Sequence, residues 1–92
     1  MLPQPTFDDV LNAILRHRAG FIMKYGREPE ILYIGREEHR SLRSDTRQFL
    51  AHATLPKDNT LSDFMLGGYP VVIVNCASHM NFAMLPITGE MP

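Results

Sequence analysis

The chain has 92 residues, a length that limits it to a single domain. Its formal net charge is −1 at pH 7. This near-neutral charge argues against a general nucleic-acid binder and against a polybasic membrane anchor. Cys76 is the only cysteine, so no disulfide forms within the chain and a reducing, cytoplasmic location is expected. The first residues lack the features of a signal peptide, and no apolar run is long enough to span a bilayer.

A long amphipathic helix is predicted from Thr6 to Tyr25, because apolar residues recur there at helical spacing. Thr6 and Asp9 have the spacing of a capping box, in which side chain and backbone satisfy each other's hydrogen-bonding groups. Gly26 suits the left-handed position that ends many helices, and Pro29 prevents the helix from continuing.

The next segment predicts a strand followed by helical structure. Residues 31–34 form a short apolar run that ends at Gly35 and indicates a strand buried on both faces. Residues 36–53 show helical spacing of apolar side chains. This region is either one helix or two shorter ones, since Ser44 and Asp45 have side chains that can cap a new helix.

Three further strands are predicted toward the C-terminal end. Residues 61–66 give a weak strand signal, and Gly67 and Gly68 permit a bend with positive φ. Residues 69–75 give the clearest strand signal, because they are rich in β-branched side chains. After a turn, residues 80–85 are expected to pair back onto residues 69–75.

These elements predict an α+β domain, with two main helices on one face of a mixed sheet of three or four strands. The domain covers residues 1–92, and residues 1–5 and 87–92 are expected to fray. The side chains predicted to form the core are Ile14, Ile22, Ile31, Leu32, Ile34, Leu42, Phe49, Val72 and Val74.

Four arginines in the second helical region recur at spacings that align them on one continuous helix: Arg36, Arg40, Arg43 and Arg47. Guanidinium groups aligned in this way suit phosphates or carboxylates, which makes a polyanion- or nucleic-acid-binding module one interpretation. The alternative is a solvated helix face balanced by neighbouring acidic residues. The alignment is also lost if the helix restarts at Ser44.

Cys76 and His79 have a spacing that a metal ion can use, but a structural zinc site needs four ligands, usually in paired clusters. Cys76 and a histidine are also a conceivable nucleophile and base, although a reactive thiolate needs an electropositive setting. The pattern therefore predicts no metal, no cofactor and no catalytic residue, and an enzyme that uses Cys76 is the weakest interpretation. The remaining histidines are dispersed, at His17, His39 and His52.

Apolar residues near the C-terminal end are candidates for self-association: Met80, Phe82, Met84 and Leu85. An ordinary place in the core is the equal alternative. Burial of this strand between subunits, or pairing of an exposed sheet edge, would produce a homo-oligomer. A protein partner in a larger assembly is a further possibility, and a nucleic-acid partner is not expected.

The order of these elements resembles a segment of the major capsid proteins of tailed phages and of the related encapsulin shells. The matching pieces are Pro29 to Gly35, Leu42 in the second helical region, and the run Leu-Gly-Gly-Tyr-Pro-Val-Val at 66–72. The similarity covers most of residues 7–75, although the Gly67-Gly68 pair departs from the pattern and the long spine helix and extended arm have no counterpart. The resemblance implies a small phage- or prophage-derived structural or accessory protein that self-associates and has no catalytic residues. The function expected from the sequence is therefore a non-enzymatic structural or interaction module of bacterial, phage or prophage origin.

Overall fold

The structure is a computed structural model that describes residues 5–54 and 62–84. Predictions for residues 1–4, 55–61 and 85–92 lie outside the described residues. Within the described part, the chain forms three helices and five strands. In chain order they are α1 (Phe7–Tyr25), β1 (Ile31–Ile34), α2 (Arg36–Arg43), α3 (Thr46–His52), β2 (Ala53–Thr54), β3 (Phe64–Leu66), β4 (Tyr69–Ile73) and β5 (Met80–Ala83).

The five strands form one mixed sheet in the order β2-β3-β4-β1-β5, and helix α1 packs on it. Strands β1 and β4 are parallel, and the other neighbouring pairs are antiparallel. The α+β fold class is therefore confirmed. The sheet exceeds the predicted three or four strands because the short β2 pairs with β3.

Helix α1 begins and ends where the sequence predicts. The Thr6 hydroxyl accepts from the Asp9 backbone N–H at 3.2 Å, and the Asp9 carboxylate accepts from the Thr6 backbone N–H at 3.0 Å. At the other end, Gly26 adopts a left-handed φ of 70°, and its N–H donates to the Ile22 carbonyl at 2.7 Å. Both ends are thus fixed by local hydrogen bonds.

The second helical region is two helices, as the Ser44-Asp45 alternative predicted. The Ser44 hydroxyl donates to the Ser41 carbonyl at 2.6 Å at the end of α2. The Asp45 carboxylate then accepts from the Gln48 backbone N–H at 3.1 Å and caps α3. The prediction that helical structure reaches residue 53 was wrong by one residue, because Ala53 pairs with β3 as part of β2.

The expected pairing of the last strand was wrong. Strand β5 pairs with β1 and not with β4, and β1 lies between them in the sheet. Strand β4 also ends at Ile73, so that residues 74–79 are free to cross the end of β1. The Gly35 N–H then donates to the His79 carbonyl at 2.9 Å and starts the new ladder.

The core lies between α1, α2, α3 and one face of the sheet. Six of the predicted core residues are buried, whereas Ile22, Val72 and Val74 are only half-buried. Val71 is fully buried in place of Val72, because it lies opposite Leu32 on the helix-facing side of the sheet. Buried residues that the sequence did not single out as core are Phe7, Val10, Phe64, Met65, Leu66 and Phe82.

Candidate binding groove beside the open edge of the sheet

Strand β5 forms one outer edge of the sheet, and its outer backbone groups have no partner among the described residues. In an antiparallel ladder, successive residues direct their N–H and C=O groups to opposite sides. The bond from Gly35 to the His79 carbonyl and the ladder register place the backbone groups of Asn81 toward β1. Met80 and Phe82 therefore direct their N–H and C=O groups outward.

Within residues 5–54 and 62–84, this edge carries no charged side chain or proline that would protect it against strand pairing. Natural edge strands are blunted by charged side chains, by proline, by bulges or by very short length. Strand β5 reads Met-Asn-Phe-Ala, and its register with β1 is unbroken through all four residues. An offset comes only at its end, where the Glu30 N–H donates to the Ala83 carbonyl although Ala83 is paired with Ile31. The opposite edge of the sheet is the two-residue strand β2, which is protected by its length. The open edge of β5 is therefore a template for an added strand.

A groove of about 1000 Å³ runs between α1 and β5, and we call it the α1–β5 groove. It is lined by Arg16, His17, Gly20, Phe21, Lys24 and Tyr25 of α1, by Arg27, and by residues 81–84 at β5. Gly20 leaves the helix side of the groove open, since a Cβ atom built there would meet nothing within 4 Å. The groove and the open edge of β5 thus belong to one continuous surface.

The charges of the α1–β5 groove all have one sign. Arg16, Lys24 and Arg27 are exposed, His17 adds a fourth basic side chain, and no acidic residue is among the described lining residues. None of the four makes an ion pair with a described residue, whereas the nearby Arg18 does. Because the whole chain has a net charge of −1, this positive charge is concentrated locally.

A three-residue network fixes α1 to the sheet. Arg18 donates through Nε to the Tyr69 hydroxyl at 2.6 Å and through Nη2 to Glu28 at 2.5 Å. The Tyr69 hydroxyl donates to the other Glu28 oxygen at 2.7 Å. This hydrogen bond from Tyr69, followed by the charge of Arg18, holds the pKa of Glu28 below its usual range although burial opposes the shift. Arg18 is thus committed to the fold. Of the groove cations, Lys24 lies over the Tyr25 ring, with Nζ 5.3 Å from the centroid, but makes no ion pair with a described residue.

The N-terminal end of α2 is filled by the loop that precedes β5. The Arg36 N–H donates to the Cys76 carbonyl at 2.9 Å, and the Glu37 N–H donates to the Ala77 carbonyl at 2.8 Å. These carbonyls satisfy helix donors that would otherwise suit an anion. The thiol-bearing residue Cys76 is exposed at this position.

Glu38 holds the same loop through its side chain. One carboxylate oxygen accepts from the backbone N–H groups of Gly35 at 3.1 Å and His79 at 3.0 Å, and the other accepts from the Ser78 hydroxyl at 2.5 Å. Burial raises the pKa of Glu38, but the hydrogen bonds from Ser78, His79 and Gly35 together outweigh it, so that the pKa lies below its ordinary value.

Replacing Glu38 by glutamine is expected to lower the free energy of unfolding by about 1–2 kcal/mol at neutral pH, because charge-assisted hydrogen bonds to the loop are lost. A carboxyl with a lowered folded-state pKa stabilises the fold above its unfolded pKa of about 4.3, and the stabilisation is lost as the pH falls. The difference between the wild type and Glu38→Gln should therefore shrink in acid. Urea unfolding at several pH values measures it.

The neighbouring substitution Glu37→Gln is the matched control, since the Glu37 side chain is exposed at the same helix end. It removes the same charge and leaves the loop contacts intact. We expect a loss of less than about 1 kcal/mol, from the helix dipole alone. Equal losses for the two variants would contradict the role of Glu38 in holding the loop.

The four predicted arginines do not share one continuous helix. Arg36, Arg40 and Arg43 are exposed on α2, whereas Arg47 follows the break and lies on α3. The Arg43 guanidinium lies over the Phe49 ring, 4.9 Å from its centroid. The structure therefore keeps three of the arginines on one helix, and one of these packs on an aromatic side chain.

Cys76 and His79 lie in the loop before β5. Among the described residues there is no group of three or more histidine, cysteine, aspartate or glutamate side chains placed to hold a metal ion. The other histidines lie one on each of the three helices, at His17, His39 and His52.

The predicted self-association residues have different environments. Phe82 is 4% exposed, and its ring packs edge-to-face on Tyr69 with 5.4 Å between centroids. Met80 and Met84 are half-buried, and Leu85 lies outside the described residues. Phe82 therefore belongs to the core of this chain. The part of β5 that stays accessible is its outer backbone, namely the N–H and C=O groups of Met80 and Phe82.

Comparison with protein-family models gave no match, and neither did comparison with curated proteins or with solved structures. The resemblance to phage capsid and encapsulin segments thus stays a prediction from short motifs. None of the helices in the described part of the chain combines the length and apolar content needed to cross a membrane.

Proposed function

We propose that the chain is a non-enzymatic interaction module that takes up an extended segment of a partner protein as an added strand along β5. The observation that supports this proposal is that the outward backbone groups of Met80 and Phe82 have no partner in the part of the chain that the structure describes. An added strand supplies main-chain hydrogen bonds to such an edge, and its alternate side chains provide specificity. The adjoining groove gives those side chains a place to lie.

A second copy of the chain is the competing occupant, as the sequence suggested. Antiparallel pairing of two β5 edges about a two-fold axis continues the sheet and keeps both α1 helices on the same face. The grooves of the two copies then face each other, and each brings Arg16, Lys24 and Arg27. Like charges placed in this way disfavour the pairing, which favours a different protein as the partner.

Selection of short peptides from a random displayed library on the immobilised chain tests strand addition. The selected peptides should compete with one another and should lose binding to Met80→Pro. Proline at this position removes an outward N–H and no bond to β1, so the fold should be retained. Circular dichroism checks the fold of the variant. N-methylated peptides provide a control on the peptide side. Methylation of the alternate backbone amides that face β5 should abolish binding, whereas methylation of the amides on the peptide's other edge should leave binding intact.

Amide hydrogen exchange on the wild-type protein provides a test that does not depend on a variant. Binding of a selected peptide should slow exchange at Met80 and Phe82, whose amides face outward, more than at Asn81, whose amide already faces β1. Slower exchange on raising the protein concentration alone would instead indicate a second copy at the edge. Peptide binding with unchanged exchange at these amides would overturn strand addition.

A further inference from the structure

We infer that the partner segment is acidic, with carboxylate side chains on the helix-facing side of the added strand, where the α1–β5 groove receives them. This inference rests on the proposed strand addition and adds the chemistry of the partner. The observation that carries it is the concentration of basic side chains that make no ion pair with a described residue, along one side of the open edge.

The register of β5 determines which side chains of an added strand enter the groove. The side chains of Met80 and Phe82 lie on the helix-facing side of the sheet, opposite Ile34 and Leu32. An added strand continues this alternation, so every second side chain faces α1. Those side chains come to lie among the basic residues of the groove, and the intervening ones face away from α1.

The spacing of the basic residues suits such a strand. Arg16 and Lys24 are separated by just over two turns of α1, about 12 Å along the helix axis. Alternate residues of a strand are about 7 Å apart, so acidic residues at successive alternate positions span the same length. Each exposed ion pair contributes little alone, but several together set specificity and association rate.

Single-stranded nucleic acid is the anionic ligand that competes with this interpretation. Its phosphates would also meet the basic groove, and the Phe21 and Tyr25 rings, 4.6 Å apart, offer aromatic surface to bases. However, nucleic acid has no regularly spaced backbone N–H and C=O groups to pair with the outward groups of Met80 and Phe82. The open edge therefore favours a peptide.

Three capped synthetic peptides of one length test the inference: Glu-Val-Glu-Val-Glu-Val, Gln-Val-Gln-Val-Gln-Val and Lys-Val-Lys-Val-Lys-Val. Fluorescence anisotropy should show the tightest binding for the glutamate peptide, weaker binding for the glutamine peptide, and none for the lysine peptide. The affinity of the glutamate peptide should fall with salt, because exposed charges are screened. Equal affinity for the glutamate and glutamine peptides would overturn the acidic partner.

Charge-matched double variants locate the interaction on the protein. The double variant Arg16→Gln with Lys24→Gln should bind the glutamate peptide more weakly than the wild type does. Each substitution should lower the affinity by about twofold to fivefold. Arg36→Gln with Arg40→Gln removes the same charge from α2, outside the groove, and should leave the affinity unchanged. A larger loss from the α2 pair would assign anion binding to the arginines of α2 and overturn the inference.

The outcomes separate this inference from the proposed function. If exchange slows at Met80 and Phe82 but the glutamate and glutamine peptides bind equally well, strand addition is supported and the acidic partner is rejected. Charge-dependent binding without slower exchange rejects strand addition and leaves a groove that binds carboxylates by charge alone. Tighter binding of an oligothymidine probe that displaces the glutamate peptide overturns the inference in favour of nucleic acid. Binding of no peptide, with a dimer in light scattering, overturns it in favour of a second copy.

Discussion

Replacing Phe82 by alanine is expected to lower the free energy of unfolding by about 3–5 kcal/mol, since the ring is removed from a packed core. Phe82 is 4% exposed, lies opposite Leu32 in the sheet, and packs edge-to-face on Tyr69. A chain of this size is typically stable by only about 5–14 kcal/mol, so the loss is a large part of the total. Urea unfolding measures this loss as a lower midpoint urea concentration, with the dependence of the unfolding free energy on urea concentration unchanged.

The control for this substitution is Met23→Ala, which truncates an apolar side chain that is 88% exposed on α1. Its effect should stay within about 0.5 kcal/mol, as for most surface substitutions. If Phe82→Ala keeps the stability of the wild type but dissociates an oligomer, Phe82 acts between subunits, as the self-association prediction requires. That result would contradict its place in the core of a single chain.

Replacing Gly35 by alanine is expected to destabilise the fold by about 1–3 kcal/mol, through overpacking against a neighbouring backbone. A Cβ atom at this position would lie 2.7 Å from the His79 nitrogen and 2.8 Å from the Glu38 Oε1 atom. Since φ is −85°, the backbone conformation itself suits any residue. The cost arises because the loop before β5 must shift and weaken its hydrogen bonds to α2.

Gly20→Ala is the matched control, because it adds the same methyl group where no atom lies within 4 Å. Alanine is favoured over glycine inside a helix by up to about 1 kcal/mol, so this variant should be more stable than the wild type. The two substitutions are thus expected to have opposite signs in thermal or urea unfolding. A neutral or stabilising Gly35→Ala would contradict the close approach of the loop to β1 and α2.

Helix α1 and strand β1 were predictable from the sequence because their signals are local. The capping box at Thr6 and Asp9 and the glycine at position 26 each involve residues within a few positions of one another. The break before α3 was likewise visible as an alternative, through the capping side chain of Asp45. Such signals depend little on the rest of the fold.

The strand order was not predictable, because it depends on contacts between distant residues. Nothing in the last strand shows that it pairs with β1 and not with β4. The continuous apolar run of β4 also hides which alternate residues face the helices, so that Val72 was expected in the core where Val71 is found. Burial on one face is set by the register with β1, which only the fold determines.

The candidate site was only partly visible in the sequence. Arg16, His17 and Lys24 lie within the predicted helix, but their pattern does not show that β5 ends the sheet beside them. The arginines of the second helical region gave the more regular pattern, which the break at Ser44 interrupts. Small side chains at Ala13 and Gly20, seven positions apart on one helix face, are the signal that indicates an open groove.

We propose that the outward backbone of β5 pairs with an acidic extended segment. Residue-resolved amide exchange of the wild-type protein, with and without the Glu-Val-Glu-Val-Glu-Val peptide, tests it most directly. We expect markedly slower exchange at Met80 and Phe82 when the peptide is present, and little change at Asn81, whose amide already faces β1. Peptide binding that leaves Met80 and Phe82 unchanged, or that slows exchange only in α2, would contradict it.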